Sequence, residues 1–414
     1  MLPLLVPIAA LLAGIALLLL GTGLLNTLLA LRGSLEGYAD ATLGLIGSAY
    51  FVGFLVGTVL APPLIRRIGH VRAFALFAAA VAACVLLHAL LVSAPVWIAL
   101  RILTGTALVG LYTVIESWLN GQAPAARRGQ IFAIYMAVNL GALALAQQLL
   151  RLGSPAGFEL FAVAAIFVCL ASMPVAATRQ APPELHTTPR LGLRALWQTA
   201  PIACAGALLS GLAMGAFWSL TAVYGGRIGL DENNVAMLMT LAILGGALLQ
   251  WPVGRYSDAV DRRRALGVVA GAAAAAGLLW AVLGLFGAAA LVGGFLFGAA
   301  AFAVYPIAVA HLIDHLHHQD ILSGSAALLL LHGFGAAIGP LLAGTAMGWL
   351  GPAALPLHFT AMLGPLAAYA LWQARHGSDD IVEEAAHFVP MLRTSPTVLE
   401  MMTPAESETP PGHG

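Results

Sequence analysis

The chain has 414 residues, 60% of them hydrophobic and 9% charged, with 18 basic and 18 acidic side chains. So little charge cannot cover a soluble surface, and a formal net charge of zero gives no basic footprint for nucleic acid. Apolar runs of about 20 residues, the length a helix needs to cross a bilayer, also exclude a β-barrel of short alternating strands.

Twelve such runs are predicted as transmembrane helices, roughly at 5–29, 43–64, 73–94, 97–119, 130–150, 160–177, 200–223, 234–253, 265–288, 289–310, 321–349 and 355–373. The first has no basic residues before it and is followed by more apolar chain, so it reads as a retained span and not a secretory signal. Cys84, Cys169 and Cys204 fall singly in three different runs, without a CxxC pair, and read as small packing residues.

Residues 178–197 form the longest polar connection, and Pro182, Pro183 and Pro189 argue against one continuous helix through it. This divides the chain into a six-helix bundle at 1–177, a cytoplasmic linker at 178–197 and a second six-helix bundle at 198–374. Landmarks repeat between the halves. Gly105 and Tyr112 in the fourth run match Gly298 and Tyr305 in the tenth at an offset of 193, and the loop RRIGHVR (66–72) matches DAVDRRR (258–264) at 192. Asn26 then pairs with Trp218, and Asn139 with His332. The predicted fold is an all-α membrane protein of two pseudo-symmetric bundles around a midplane cavity, the plan of secondary transporters. Residues 375–414, rich in Asp, Glu, Pro and Ser, are expected to be a disordered acidic cytoplasmic tail.

All 18 basic residues are Arg. With the N-terminus inside, 14 of them fall on the cytoplasmic side, three (Arg32, Arg151, Arg227) on the other, and Arg101 within a run. The positive-inside rule therefore predicts an N-in, C-in topology.

Two charged residues lie inside the twelve runs, Arg101 and Glu116, both in the fourth. Charge at bilayer depth costs roughly 2.5–3.5 kcal/mol on insertion scales, which marks both as functional candidates. Gly105, Leu108 and Tyr112 share their stripe. Arg101 either faces a cavity or snorkels to the interface; Glu116 either latches the inward gate with Arg67 or Arg128, or carries a coupled proton, or is solvated at the helix end. His332 is a second candidate proton site. Gln147 and Gln148 read as interfacial. His311, Asp314, His315 and His318 share a helical face but sit at a helix terminus, so the reading is a solvated end with incidental histidines and no metal.

The loop Gly254, Asp258, Asp261, Arg262, Arg263, Arg264 resembles the cytoplasmic signature of the major facilitator superfamily, and Arg101 to Gly105 (RILTG) is similar to the arginine motif of its fourth helix. The resemblance spans roughly 5–373. ESWLN (116–120), LQWPVGRYSD (249–258) and VPMLRTSP (389–396) resemble the YcaD-like branch of bacterial inner-membrane members. The first-half loop departs from the signature, with Pro62 and Arg66 where Gly and Asp are expected; the glycine–proline cluster of the family's antiporters is missing from the fifth run, while Gly335, Gly339, Pro340 and Gly344 appear in the eleventh. The resemblance implies a cavity lined by Asn26, Tyr50, Arg101, Tyr112, Asn139, Trp218, Tyr305 and His332, and a gate built from Gly254, Asp258, Asp261, Arg262 and Arg263.

The function expected is alternating-access transport of a small organic solute, neutral or amphiphilic given the aromatic lining, coupled to a proton or other ion, with export favoured over import. No cofactor is expected, the partners are the solute, the coupling ion and the lipid bilayer, and the protein is expected to be a monomer in a bacterial inner membrane. No phosphate loop, HExxH or G-x-S-x-G occurs, and Glu116 has no second intramembrane carboxylate, so the chain does not read as an ATPase or intramembrane enzyme. A non-transporting sensor or scaffold on the same fold is the remaining alternative.

Overall fold

The computed structural model describes residues 2–122, 127–176, 192–376 and 388–389. Among these, every regular element is helical: α1 (Leu2–Leu35), α2 (Asp40–Ile68), α3 (His70–Leu90), α4 (Ala94–Gln122), α5 (Arg128–Gln148), α6 (Glu159–Ala176), a short α7 (Leu193–Thr199), α8 (Pro201–Arg227), α9 (Glu232–Ala259), α10 (Arg262–Leu283), α11 (Ala290–Asp314), α12 (Ile321–Leu350) and α13 (Ala354–His376). Eleven stretches of the described chain are long and apolar enough to cross a membrane. The longest, Arg262–Asp314, contains both α10 and α11, joined by a six-residue 3-10 turn, Gly284–Ala289. The break expected at 288/289 falls within this turn, although the turn is itself apolar; Gly287 makes the reversal at φ 58°, where a side chain would be strained.

Several helices outrun their apolar cores. Backbone hydrogen bonding continues after hydropathy stops, so α2 ends at Ile68 and α11 at Asp314, each four residues beyond the apolar run. Asp231 starts α9 by accepting from the Asn234 N–H at 2.8 Å. Of the expected linker, the final part forms α7, while its three prolines lie outside the described residues. The expected acidic tail also lies outside them, apart from Phe388 and Val389 and the end of α13. Cys84 and Cys204 are buried, as packing residues should be, whereas Cys169 is exposed on α6.

Close helix pairs are made by glycine. A side chain at Gly105 would strike the Tyr50 carbonyl of α2, and one at Gly53 would strike the Ile102 carbonyl of α4. The same pairs recur between α9 and α11, where Gly298 meets the Ala242 carbonyl and Gly245 the Phe295 carbonyl. All four residue positions shift by 192 or 193, so the repeat seen in the sequence is also a repeat of backbone contacts. Gly335 and Gly339 bring α12 against the Leu208 and Leu212 carbonyls of α8.

The helices before and after α7 meet along α2 with α12 and α8, α1 with α8, and α5 with α9. At one face the seam is tied polar to polar: Arg227 to Asp40 at 2.8 Å, Arg151 to Asn233 at 3.2 Å, and Gln148 to Thr240 at 2.6 Å. There Gly44 also meets the Pro340 carbonyl and Gly344 the Asp40 carbonyl. Gln147 is buried and receives the Thr27 hydroxyl at 2.5 Å. The interfacial reading is therefore corrected for Gln147, whose amide is held by Thr27 of α1 and by the Leu143 carbonyl of its own helix; Gln148 is half-buried and donates across to Thr240 of α9. Large apolar side chains such as Leu60, Trp251, Leu285 and Trp349 face outward, the surface a bilayer would cover.

Candidate functional site

A cavity lies between the two sets of helices at mid-helix depth, enclosing about 860 Å³ when the solvent at its mouth is counted. α2 supplies Tyr50, Phe51, Phe54, Leu55 and Thr58; α8 supplies Met214, Gly215 and Trp218; α11 supplies Ala301, Phe302 and Tyr305. α12 completes it with Leu329, Leu330, His332, Gly333 and Ala336. Four mid-helix stretches converge here because glycines let α2 and α12 approach on both sides of the seam. Among these lining residues none is Arg, Lys, Asp or Glu.

Of the eight sequence candidates for the lining, four are in this wall: Tyr50, Trp218, Tyr305 and His332. Asn26 and Arg101 line a smaller neighbouring pocket with Trp218 and Ser219, so the matched pair Asn26 and Trp218 shares one pocket. Arg101 is buried, with its guanidinium carbon 4.4 Å from the Tyr50 ring centre. It faces the protein interior and does not snorkel. Tyr112 packs behind Phe54 at 6.3 Å between ring centres. Asn139 is buried and donates to the Tyr135 carbonyl one turn back at 2.7 Å, an ordinary intrahelical bond. It is not brought to the cavity with its mate His332. Phe51, Phe54, Leu55, Met214 and Phe302 were not singled out in the sequence, since an apolar residue on an apolar helix carries no mark of which side it faces.

Glu116 is completely buried, four residues from Tyr112 on α4, and accepts the Tyr135 hydroxyl of α5 at 2.8 Å. A carboxylate with a phenol donor is a charge-tolerant site in an otherwise apolar helix interior. In this conformation Arg67 is exposed at the end of α2. Sequence reasoning passed over Tyr135; its i+19 distance from Glu116 is a tertiary relation that spacing does not encode.

The loop after α9 folds into a charged knot. Arg262 reaches Asp258 at 2.7 Å, the Ser257 hydroxyl at 2.9 Å and Asp314 of α11 at 3.3 Å. Asp261 caps α10 through the N–H groups of Arg263 and Arg264 and pairs with the Arg263 side chain at 2.8 Å. Partial burial by itself would raise the Asp261 carboxyl; the bonds from Arg263 and Arg264 and the Arg263 charge outweigh it and hold the pKa below the usual value. Asp314 and His311 are each 3% exposed, so the solvated-end reading is corrected for these two; His315 is half-buried, and the His318 side chain lies outside the described residues. Asp314 is the buried counter-charge of Arg262, which the sequence hid because the two are 52 residues apart. Phe388, from beyond α13, donates its backbone N–H to Asp258 at 2.9 Å, and its ring fills the space beside Gly254. At the offset of 192, Arg66 stands in the place of Asp258 and is exposed, while Gly69 and His70 stand in the places of Asp261 and Arg262.

The family profile of the Major Facilitator Superfamily matches residues 11–328 and 203–404. The chain belongs to the Major Facilitator Superfamily. Within it, the transporter is similar to the uncharacterized MFS-type transporter YcaD of Escherichia coli (strain SE11), 29% identical over 336 residues, 81% of this chain and 87% of the relative. YcaD of Shigella flexneri matches to the same extent. This places the transporter with the YcaD-like branch. Among solved structures it resembles the nucleoside transporter NupG with a TM-score of 0.74 at 14% identity, over 89% of this chain and 99% of that one. It also resembles the D-xylose-proton symporter, with a TM-score of 0.66 at 14% identity, over 88% and 96%. At such identities the likeness is one of fold.

Proposed function

We propose that the chain is a proton-coupled secondary transporter that exports a small organic solute by alternating access. One observation carries this reading: a mid-depth cavity walled by α2 from one repeat and by α8, α11 and α12 from the other. A solute held there is exposed to whichever face the repeats part from. The proposed frame is two six-helix bundles, α1–α6 and α8–α13, with both termini in the cytoplasm, as the arginine bias predicts. In that frame the tied face is periplasmic, and the cavity opens inward.

Glu116 is proposed as the proton carrier. It lies one turn from Tyr112, which backs the cavity residue Phe54, so protonation there is within reach of changes in the wall. The Asp258, Arg262 and Asp314 knot is proposed as the gate, its ion pairs re-formed or broken as the bundles rock. The protein is proposed to work as a monomer in a bacterial inner membrane.

The decisive test uses purified protein in proteoliposomes with a pH-sensitive dye inside. Solutes that raise its melting temperature are applied with and without an imposed pH gradient. Solute flux that follows the gradient, moves protons and stops when Gly333→Trp fills the cavity supports the proposal. Thermal stabilisation without flux, in either imposed direction, supports the sensor reading and removes this one.

A further inference from the structure

Few polar atoms interrupt the cavity wall, and the chemistry of one is fixed by its neighbours. His332 on α12 holds Nδ1 3.1 Å from the Ala207 carbonyl and 3.2 Å from the Ser210 hydroxyl oxygen, both on α8. The Ser210 hydroxyl donates its proton to that same carbonyl at 3.1 Å, leaving its oxygen to act toward His332 only as an acceptor. Two acceptors therefore face Nδ1, so Nδ1 carries the hydrogen. The neutral ring then keeps its lone pair on Nε2, on the side away from the α8 backbone. Tyr305 lies against the imidazole with ring centres 4.3 Å apart and sets its plane. The half-buried His332 thus offers the cavity a hydrogen-bond acceptor in one orientation.

The remaining wall sets the rest of the ligand. Aromatic faces from α2, α8 and α11 suit a flat apolar body. No charged residue is among the described lining residues, so an ionic solute would shed its water for no opposite charge. Arg101 does not change this for an anion, because it lines a separate, smaller pocket and its guanidinium is laid on the Tyr50 ring. It works against a cation, since Tyr50 already carries the guanidinium on its ring.

We infer that the solute is uncharged and planar, an aromatic or alicyclic body with one O–H or N–H group, and that His332 Nε2 receives that hydrogen. The inference rests on the proposed reading of this cavity as the solute site.

Its test uses the full chain in lipid nanodiscs and four naphthalene probes: 2-naphthol, 2-methoxynaphthalene, 2-naphthoate and 2-naphthylmethylammonium. Binding is followed by quenching of the Trp218 signal, taken as the difference from Trp218→Phe. 2-Naphthol should bind roughly tenfold tighter than the methoxy probe, the factor expected for one hydrogen bond to an otherwise unmet acceptor, and His332→Leu should abolish that preference. A tighter naphthoate or ammonium, binding by none of the four, or a naphthol preference that survives His332→Leu overturns the inference. Nitrogen NMR of ring-labelled histidine in the unsubstituted protein gives a check independent of folding: a bare Nε2 is expected, and a protonated Nε2 on the neutral ring overturns it. Counterflow of labelled 2-naphthol separates the two readings. The expected binding pattern without flux leaves the His332 inference standing and sinks transport; flux without the pattern does the reverse.

Discussion

The two repeats agree in backbone and disagree in chemistry. Gly53 and Gly105 in the first, and Gly245 and Gly298 in the second, press against carbonyls at corresponding positions of the partner helix. Yet the intramembrane charges Arg101 and Glu116 have Gly294 and Val309 as counterparts, while the cavity histidine and the charged knot belong to the second repeat. Duplication preserved what two helices need to approach. Charge, which is costly in a bilayer, is kept only once per task.

That asymmetry can be broken at its sharpest point first. Glu116→Gln should abolish gradient-driven accumulation in proteoliposomes while solute exchange continues, and Tyr135→Phe should weaken it less. Loss of exchange in both would make Glu116 a structural residue. Next in size is the gate: Asp314→Asn removes the buried one of the two carboxylates on Arg262, leaving the partly exposed Asp258, and should cost about 1–3 kcal/mol of stability, against under about 0.5 kcal/mol for Arg66→Ala at the exposed end of α2. Equal losses of melting temperature would erase the distinction between the loops. The glycine seam tests the shared part. Gly105→Ala and Gly298→Ala should each destabilise by about 1–3 kcal/mol through overpacking, with Gly141→Ala, which meets nothing, as the unaffected control. Unequal losses would mean the repeats do not share their packing. The smallest effect belongs to the half-exposed pair across the tied face: Asp40→Asn should remove no more than about 1 kcal/mol, read as slightly greater cysteine labelling at that face.

The helices were legible in the sequence because a membrane span is a composition as much as a pattern. The break between α10 and α11 was legible too, at 288/289 within the turn Gly284–Ala289, but the turn's extent was not, because its residues are as apolar as the helices it joins. Aromatic and polar landmarks on apolar helices led to Tyr50, Trp218, Tyr305 and His332. Asn139 misled for the same reason: a polar side chain can satisfy itself on its own helix, and symmetry with His332 does not determine which way it turns. Tyr135 beside Glu116 and Asp314 beside Arg262 were beyond reach, since each depends on which helix lies next to which. So was Phe388 at Asp258, which brings chain from beyond α13 back to the second-repeat loop.

The backbone contacts at Gly44 and Gly344 also have a mechanical consequence. They hold α2 and α12 at the tied end with almost no side chain between them, which makes that crossing a fulcrum and the rest of α12 a lever arm. From Gly344 back to Ile321 the arm is about 35 Å long at the rise of an α-helix. A tilt of roughly 10° about the fulcrum then swings its free end through about 6 Å, close to the width of an aromatic ring, while the contact itself barely moves.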